Sequence, residues 1–298
     1  MVHMNLISLR DLEKKEVEAI LKSAEEIHKG RKIDLSGKIL ATLFFEASTR
    51  TKLSFQSAAL RNKMGYIDFS PDISSIKKGE SFSDTIRIIS GYGDVLAIRH
   101  PDEGTARLAA DLTEKPVINA GDGGNQHPSQ TLIDLFAIQK TKGRIRDLKV
   151  TLLGDLKHAR AMRSLLYGLG MFGADVTLTA PKGLAMEKEY VDEIKKKFGI
   201  KITVIDEPDY SNADVLYVCR IQQERFADPY EATRMMAKFR VKKEDLKDAK
   251  EDLVILHPLP KINEIDERID QMRQARYFEQ AHLGVPVRQA VLEHVLRD

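Results

Sequence analysis

The feature that most constrains this chain is a recurring alternation of short apolar runs with helically spaced segments. Residues 38–45 (KILATLFF), 94–98 (DVLAI) and 116–119 (PVIN) have strand length and little internal polarity. Helical patterns lie between and after them, at 48–64, 105–113 and 131–140. The same alternation returns with strands at 149–153, 175–179, 202–205, 214–218 and 253–256, and a helix at 159–172. Strands buried on both faces read as continuous apolar runs, and regular strand–helix alternation implies parallel sheets covered by helices. At 298 residues the chain is long for one core and matches two domains of roughly 100–150 residues. The expected fold class is α/β: two domains, each a mostly parallel sheet flanked by helices, with an active site in the interdomain cleft. Before these, residues 11–30 read as an amphipathic helix, with Leu12, Ala19, Ile20, Ala24 and Ile27 as its apolar stripe. In 48–64 that face is read from Leu53, Leu60 and Met64, with Gly65 as the stop; the last helix is read over 287–296, after Pro286. The best mid-chain boundary is the basic stretch around Gly143.

Composition narrows the function. A formal charge of +2 gives no bulk basic surface, so no nucleic-acid or membrane partner is expected. The single cysteine, Cys219, cannot form an internal disulfide, which fits a reducing, cytoplasmic setting. No signal-peptide pattern opens the chain, and no apolar stretch approaches the ~20 residues that span a bilayer. The eight histidines show no HExxH spacing and there is no cysteine pair, so no metal site is expected. Gly154-Asp155 follows a strand without opening a GxGxxG turn, a ribose-binding acid is missing after the next strand, and no cofactor is expected.

Ligands of parallel sheets bind beyond the carboxyl ends of the strands. The segments there are EASTRTK, RHP, AGDGGNQHPSQ, GDLKHAR, CRIQQER and HPLPK. Four of them carry an arginine: Arg50, Arg99, Arg160 and Arg220. One such arginine is most simply a solvated surface residue. Four at equivalent topological positions point to substrates rich in negative charge, because guanidinium matches carboxylate and phosphate geometry. Ser48, Thr49, Arg50 and Thr51 sit where a strand turns into a helix. Unpaired amides, hydroxyls and a guanidinium there make a phosphate cradle, or else an ordinary N-cap. The polar loop 74–80, with Lys77 and Lys78, could close over an anion or simply be solvated. His127 could donate to a carbonyl oxygen or be structural. His257, before Pro258-Leu259-Pro260, reads as structural, with the rigid turn shaping a backbone contact.

With these segments in order, the sequence resembles the aspartate/ornithine carbamoyltransferase family. FFEASTRTKLSF is similar to that family's carbamoyl-phosphate motif, and KKGES, IRHP, NAGDGGNQHPSQTLIDL, GDLKHAR, the Arg-x-Gln of CRIQQER and HPLP follow in family order. The likeness runs from about Leu35 to Gln289. Ornithine enzymes typically have His-Cys-Leu-Pro where this chain has His257-Pro258-Leu259-Pro260, which resembles the aspartate branch. Ornithine, a non-catalytic anion-binding role and, more remotely, a nicotinamide-dependent reaction are the competing readings.

The resemblance implies a carbamoyl phosphate-binding domain at 1–135, joined by the C-terminal helix 284–298, and an aspartate-binding domain at 136–283. It implies transfer of the carbamoyl group to L-aspartate, a step of pyrimidine biosynthesis. Ser48, Thr49, Arg50, Thr51 and Arg99 would hold the phosphate, with Ser74 and Lys78 arriving from a neighbouring chain of a homotrimer. Thr51, Arg99 and His127 would surround the carbonyl oxygen. Gln130 and the carbonyls of Pro258 and Leu259 would orient the carbamoyl NH₂ and the attacking amine, with a cis Leu259-Pro260 bond. Arg160, Arg220 and Gln222, with Lys78, would hold aspartate, and Glu46 would pair with Arg225 on closure. The family often adds a zinc-bearing regulatory chain; one cysteine cannot hold that zinc here. Ala47, His158, Ala159, Lys261 and Asn263 depart from the usual pattern beside these contacts.

Overall fold

The apolar runs form two parallel sheets in the computed structural model, which describes residues 4–221 and 228–297. Contacts divide the chain into one unit of residues 1–136 and 283–298 and a second of 137–282.

In the first unit α1 (Lys14–His28) precedes β1 (Ile39–Phe44), α2 (Thr49–Arg61) and β2 (Gly65–Phe69). Then come α3 (Phe82–Ile89), β3 (Val95–His100), α4 (Thr105–Asp111), β4 (Val117–Asp122) and the start of α5 (Pro128–Lys142). The strands are parallel in the order β2-β1-β3-β4. Chain direction across the sheet therefore reverses between β1 and β3. Right-handed crossovers running in opposite directions put α2 and α4 on opposite faces and leave a crevice at that switch point. β1, β3 and β4 are buried almost throughout.

β2 was not expected: its sequence, GYIDF, is half polar and lies on an edge where most of it stays exposed. The face expected for α2 is also corrected. Leu53 and Leu60 are exposed, whereas Phe55, Ala58 and Ala59 are fully buried. Met64 is buried but lies beyond the helix end.

The second unit runs β5 (Lys149–Leu153), α6 (Arg160–Phe172), β6 (Asp175–Thr179), α7 (Lys188–Phe198), β7 (Ile202–Ile205), β8 (Val215–Val218), α8 (Pro229–Lys238), β9 (Val254–Leu256) and the start of α9 (Tyr277–Val295), whose residues from Leu283 onward belong to the first unit. Its sheet is parallel in the order β7-β6-β5-β8-β9, with the switch point between β5 and β8. Leu153, Leu216, Val218, Phe239, Val241, Ile255, Ile269 and Tyr277 join one core there. α9 starts ten residues before the expected helix and passes through Pro286. The residue costs a backbone bond; full burial of Val287, Ala290, Val291 and Leu292 outweighs that cost.

Candidate active site

In the first unit, the segments that follow β1 and β3 flank the switch point. Ser48 is the N-cap of α2, with φ −160° and ψ 88°, yet among the described residues its hydroxyl caps no helix amide. An ordinary N-cap would spend the hydroxyl on an N2 or N3 amide. Here hydroxyl and first-turn amides are left together at the positive end of the helix dipole. Arg50, one residue into α2, has no ion-pair partner among the described residues, and partial burial lowers its pKa from the ordinary value. Thr51 is buried. Arg99 stands opposite Phe44 in the β1–β3 register. Its Nε lies 3.3 Å from Glu46 Oε2, and its Nη1 donates to the Ala120 carbonyl at 3.5 Å. Behind it, the Phe45 ring packs against Phe69, Phe82 and His100 with centroids 5.4, 5.4 and 4.9 Å apart. Burial lowers the pKa of His100, and its Nδ1 accepts from the Asp102 amide at 3.0 Å, so this ring is neutral.

His127 is held by a residue that the sequence did not single out. The buried Asp122 carboxylate accepts from Asn119 Nδ2 at 2.8 Å, the Gly104 amide at 2.9 Å, and Asn125 Nδ2 and the Gln126 amide at 3.0 Å. Four donors on one carboxylate fix the turn between β4 and α5. His127, also buried, lies one residue before α5, its Nδ1 3.4 Å from Ser129 Oγ. Gln130 donates its amide to the fully buried Asp134 at 2.8 Å, which leaves its carbonyl oxygen as the acceptor for a substrate N–H.

The segment with Ser74 and Lys78 is two short 3₁₀ turns, Pro71–Ile73 and Ser75–Lys78, rather than an irregular loop. Ser74 Oγ donates to the Pro71 carbonyl at 2.9 Å and accepts from the Ile76 amide at 3.3 Å. Lys78 is exposed and has no ion-pair partner among the described residues. Neither side chain bonds to Ser48, Arg50 or Arg99 of its own chain.

In the second unit, Arg160 opens α6 after β5, and Arg220 follows β8, so both flank the β5/β8 switch point. Gly154 makes the close approach possible. Its φ is +127°, and a Cβ there would stand 2.1 Å from the Cys219 carbonyl oxygen. The fully buried Asp155 accepts from the Lys157 amide at 3.2 Å and the His158 amide at 2.9 Å, which pins the loop leading to Arg160. Burial pushes the Cys219 thiol far up, so it stays protonated. The expected Gln222 and Arg225 lie outside the described residues. Pro258 and Leu259 sit in a turn after β9, where Leu259 has φ +56° and the Leu259–Pro260 peptide is cis. His257 is buried and bonds to that turn. Among the described residues no group of three or more His, Cys, Asp or Glu could hold a metal ion. Among them too, no helix is long and apolar enough to cross a membrane.

Fold and site together define a class: a two-unit parallel α/β protein with paired arginines and a helix N-terminus at the switch points of its sheets. Comparison makes the class specific. Residues 4–140 match the carbamoyl-P binding domain of aspartate/ornithine carbamoyltransferases, and residues 146–295 match the Asp/Orn binding domain. The chain belongs to the aspartate/ornithine carbamoyltransferase family. It is 45% identical to an aspartate carbamoyltransferase catalytic subunit of Methanococcus maripaludis, over 99% of this chain and 98% of that one. The solved catalytic subunit of M. jannaschii aspartate transcarbamoylase is 43% identical, with a TM-score of 0.90 over 99% of this chain and 98% of the other. The Trypanosoma cruzi aspartate transcarbamoylase, solved with carbamoyl phosphate and aspartate, is 31% identical, with a TM-score of 0.92 over 99% and 96%.

Proposed function

We propose that this chain transfers the carbamoyl group of carbamoyl phosphate to the amine of L-aspartate, giving N-carbamoyl-L-aspartate and phosphate. The observation that carries the choice of amine is the pair Arg160 and Arg220 at one switch point. Two guanidinium groups suit a dicarboxylate and would repel the cationic side chain of ornithine. Pro258, in place of a cysteine, supports the same choice.

The aspartate nitrogen attacks the carbonyl carbon, a C–N bond forms, and the C–O bond to phosphate breaks. Negative charge that builds on the carbonyl oxygen is met by Thr51, Arg99 and His127. Ser48, Thr49, Arg50, Thr51 and Arg99 hold the departing phosphate at the N-terminus of α2. Gln130 and the Pro258 and Leu259 carbonyls accept from the carbamoyl NH₂ and the attacking amine and so orient both. Gln222 and Lys78 complete the aspartate contacts. The phosphate dianion takes the proton released by the amine, so no side-chain base is needed. Fixed dipoles and orientation supply the acceleration. Glu46, now beside Arg99, becomes the closure partner of Arg225 once phosphate occupies Arg99.

In this proposal residues 1–135 with helix 284–298 bind carbamoyl phosphate, and residues 136–283 bind aspartate. The enzyme works in the cytoplasm, in pyrimidine biosynthesis, as a homotrimer in which Ser74 and Lys78 complete a neighbour's site. Lys78, exposed and without an ion-pair partner among the described residues, supports this, as do exposed Leu53, Leu60 and Ile73 on the same unit. A zinc-bearing regulatory chain would be a further partner, outside the chemistry. Arg50→Ala and Lys78→Ala, each inactive alone, should regain part of the carbamoyl-aspartate production when their subunits exchange. No regain under proven exchange would contradict shared sites.

A further inference from the structure

The turn that carries Pro258 and Leu259 is held by a buried relay. His257 is 2% exposed, and each ring nitrogen faces a polar group. Nδ1 accepts the Leu259 N–H at 2.7 Å, and Nε2 lies 2.8 Å from Glu264 Oε1. A ring nitrogen that accepts an amide proton carries none of its own, so the imidazole is the Nε2–H tautomer, with that nitrogen 2.8 Å from the Glu264 carboxylate. Glu264 is itself 5% exposed and accepts from the Ile262 amide at 3.1 Å and the Asn263 amide at 3.0 Å. Burial alone would raise its pKa; the attraction of the nearby His257 ring and the hydrogen bonds from backbone amides outweigh burial and keep the carboxyl below its ordinary value. The other flank is tied by the His257 amide, which donates to Gln280 Oε1 at 2.9 Å.

The relay ends on Leu259, whose φ of +56° is a conformation that a bulky side chain occupies only when its surroundings enforce it. Leu259 N–H bonded to a deprotonated Nδ1 is that enforcement. We propose that Glu264 is a positioning residue for carbamoyl transfer: by fixing the tautomer of His257 it sets the direction of the Pro258 and Leu259 carbonyls toward the attacking amine. This rests on the reading that those carbonyls meet substrate. It adds a residue that touches neither substrate nor reacting atoms.

The discriminating variant is Glu264→Gln. Two backbone N–H donors, from Ile262 and Asn263, converge on the carboxylate, and His257 Nε2 lies 2.8 Å from it. A glutamine replaces one acceptor oxygen by NH₂. If its oxygen keeps the backbone amides, its NH₂ faces Nε2, drives the imidazole proton to Nδ1 and sets it against the Leu259 N–H. ¹⁵N-histidine NMR of the wild-type protein should show His257 as the Nε2–H tautomer, and E264Q should lose that signature. In E264Q, kcat should fall by about 10- to 100-fold, the scale expected for small misplacement of reacting groups. His257→Asn, whose side-chain oxygen can still accept from Leu259, should retain more activity than His257→Ala.

A wild-type His257 that is Nδ1–H or charged overturns the proposal whatever the variants do. So does an E264Q protein that changes tautomer yet keeps kcat within twofold. That second result would leave the carbamoyl-transfer reading intact, because that reading stands on the wild-type product.

Discussion

At the scale of single residues, the proposed reaction needs donors held where charge develops. His127 shows the logic. Asp122 spends its carboxylate on four donors, and the turn it fixes delivers a buried imidazole to the start of α5. Loss of one donor to a developing oxyanion typically costs about 10²–10³ in rate. His127→Ala should therefore lower kcat by that factor while carbamoyl phosphate binding changes little; a loss confined to KM would remove His127 from the transition state. The four arginines were legible in the sequence because strand ends can be located from apolar runs alone. Asp122, Asp134, Asp155 and Glu264 were not. Each acts by accepting hydrogen bonds that only the folded backbone brings near, and nothing in its local sequence separates it from a solvated acid.

At the scale of elements, long apolar runs were readable and half-polar ones were not. β2 carries Asp68 next to its last residue, bonded by Thr42 Oγ1 at 2.9 Å and paired with Lys52 at 2.7 Å, so its pattern resembles a loop. α3 was also missed, because FSDTIRII is short and follows a charged turn. Pro286 concealed the first half of α9, since tertiary burial overrode a local helix breaker. Two element-level predictions follow from close contacts. Gly154→Ala puts a methyl group against the Cys219 carbonyl at a φ that disfavours it. It should cost about 2–3 kcal/mol of stability, measured by denaturant unfolding, and should weaken aspartate use, because the Asp155 loop would shift; a neutral result would mean that the loop is soft.

The second concerns the link between α1 and α9. Arg31 meets both oxygens of Glu293, at 2.8 and 2.7 Å, and Ser23 Oγ donates at 2.7 Å. The hydrogen bond from Arg31, against a smaller effect of burial, lowers the Glu293 carboxyl from 4.5 to about 2. A depressed folded-state pKa contributes stability above pH 4.5 that fades as pH falls toward 2. Glu293→Gln should therefore lower stability at pH 7 by on the order of 1 kcal/mol, given solvent access to the pair. The difference from wild type should vanish near pH 2; a constant difference across that range would assign the effect to packing.

At the scale of the whole molecule, each sheet repeats one plan: a parallel sheet, a switch point and an arginine on either side of it. The phosphate half adds a helix N-terminus with uncapped hydroxyl chemistry, and the other half adds a turn built from backbone carbonyls. Order and spacing of the strand-end segments made this division of labour visible in the sequence. The exposed apolar residues of α2 did not read as exposed, because a helical stripe looks the same whether it packs on its own core or on another chain. Sequence comparison places the chain in a family whose two branches differ in the amine they carbamoylate, so the amine is where the account is most exposed. The measurement that tests it most directly is carbamoyl-product formation by the purified protein with carbamoyl phosphate, comparing L-aspartate with L-ornithine. N-carbamoyl-L-aspartate should form, and no carbamoylated ornithine. Product from ornithine would contradict the assignment of Arg160, Arg220 and Pro258, and absence of product from both amines would contradict catalysis by this chain alone.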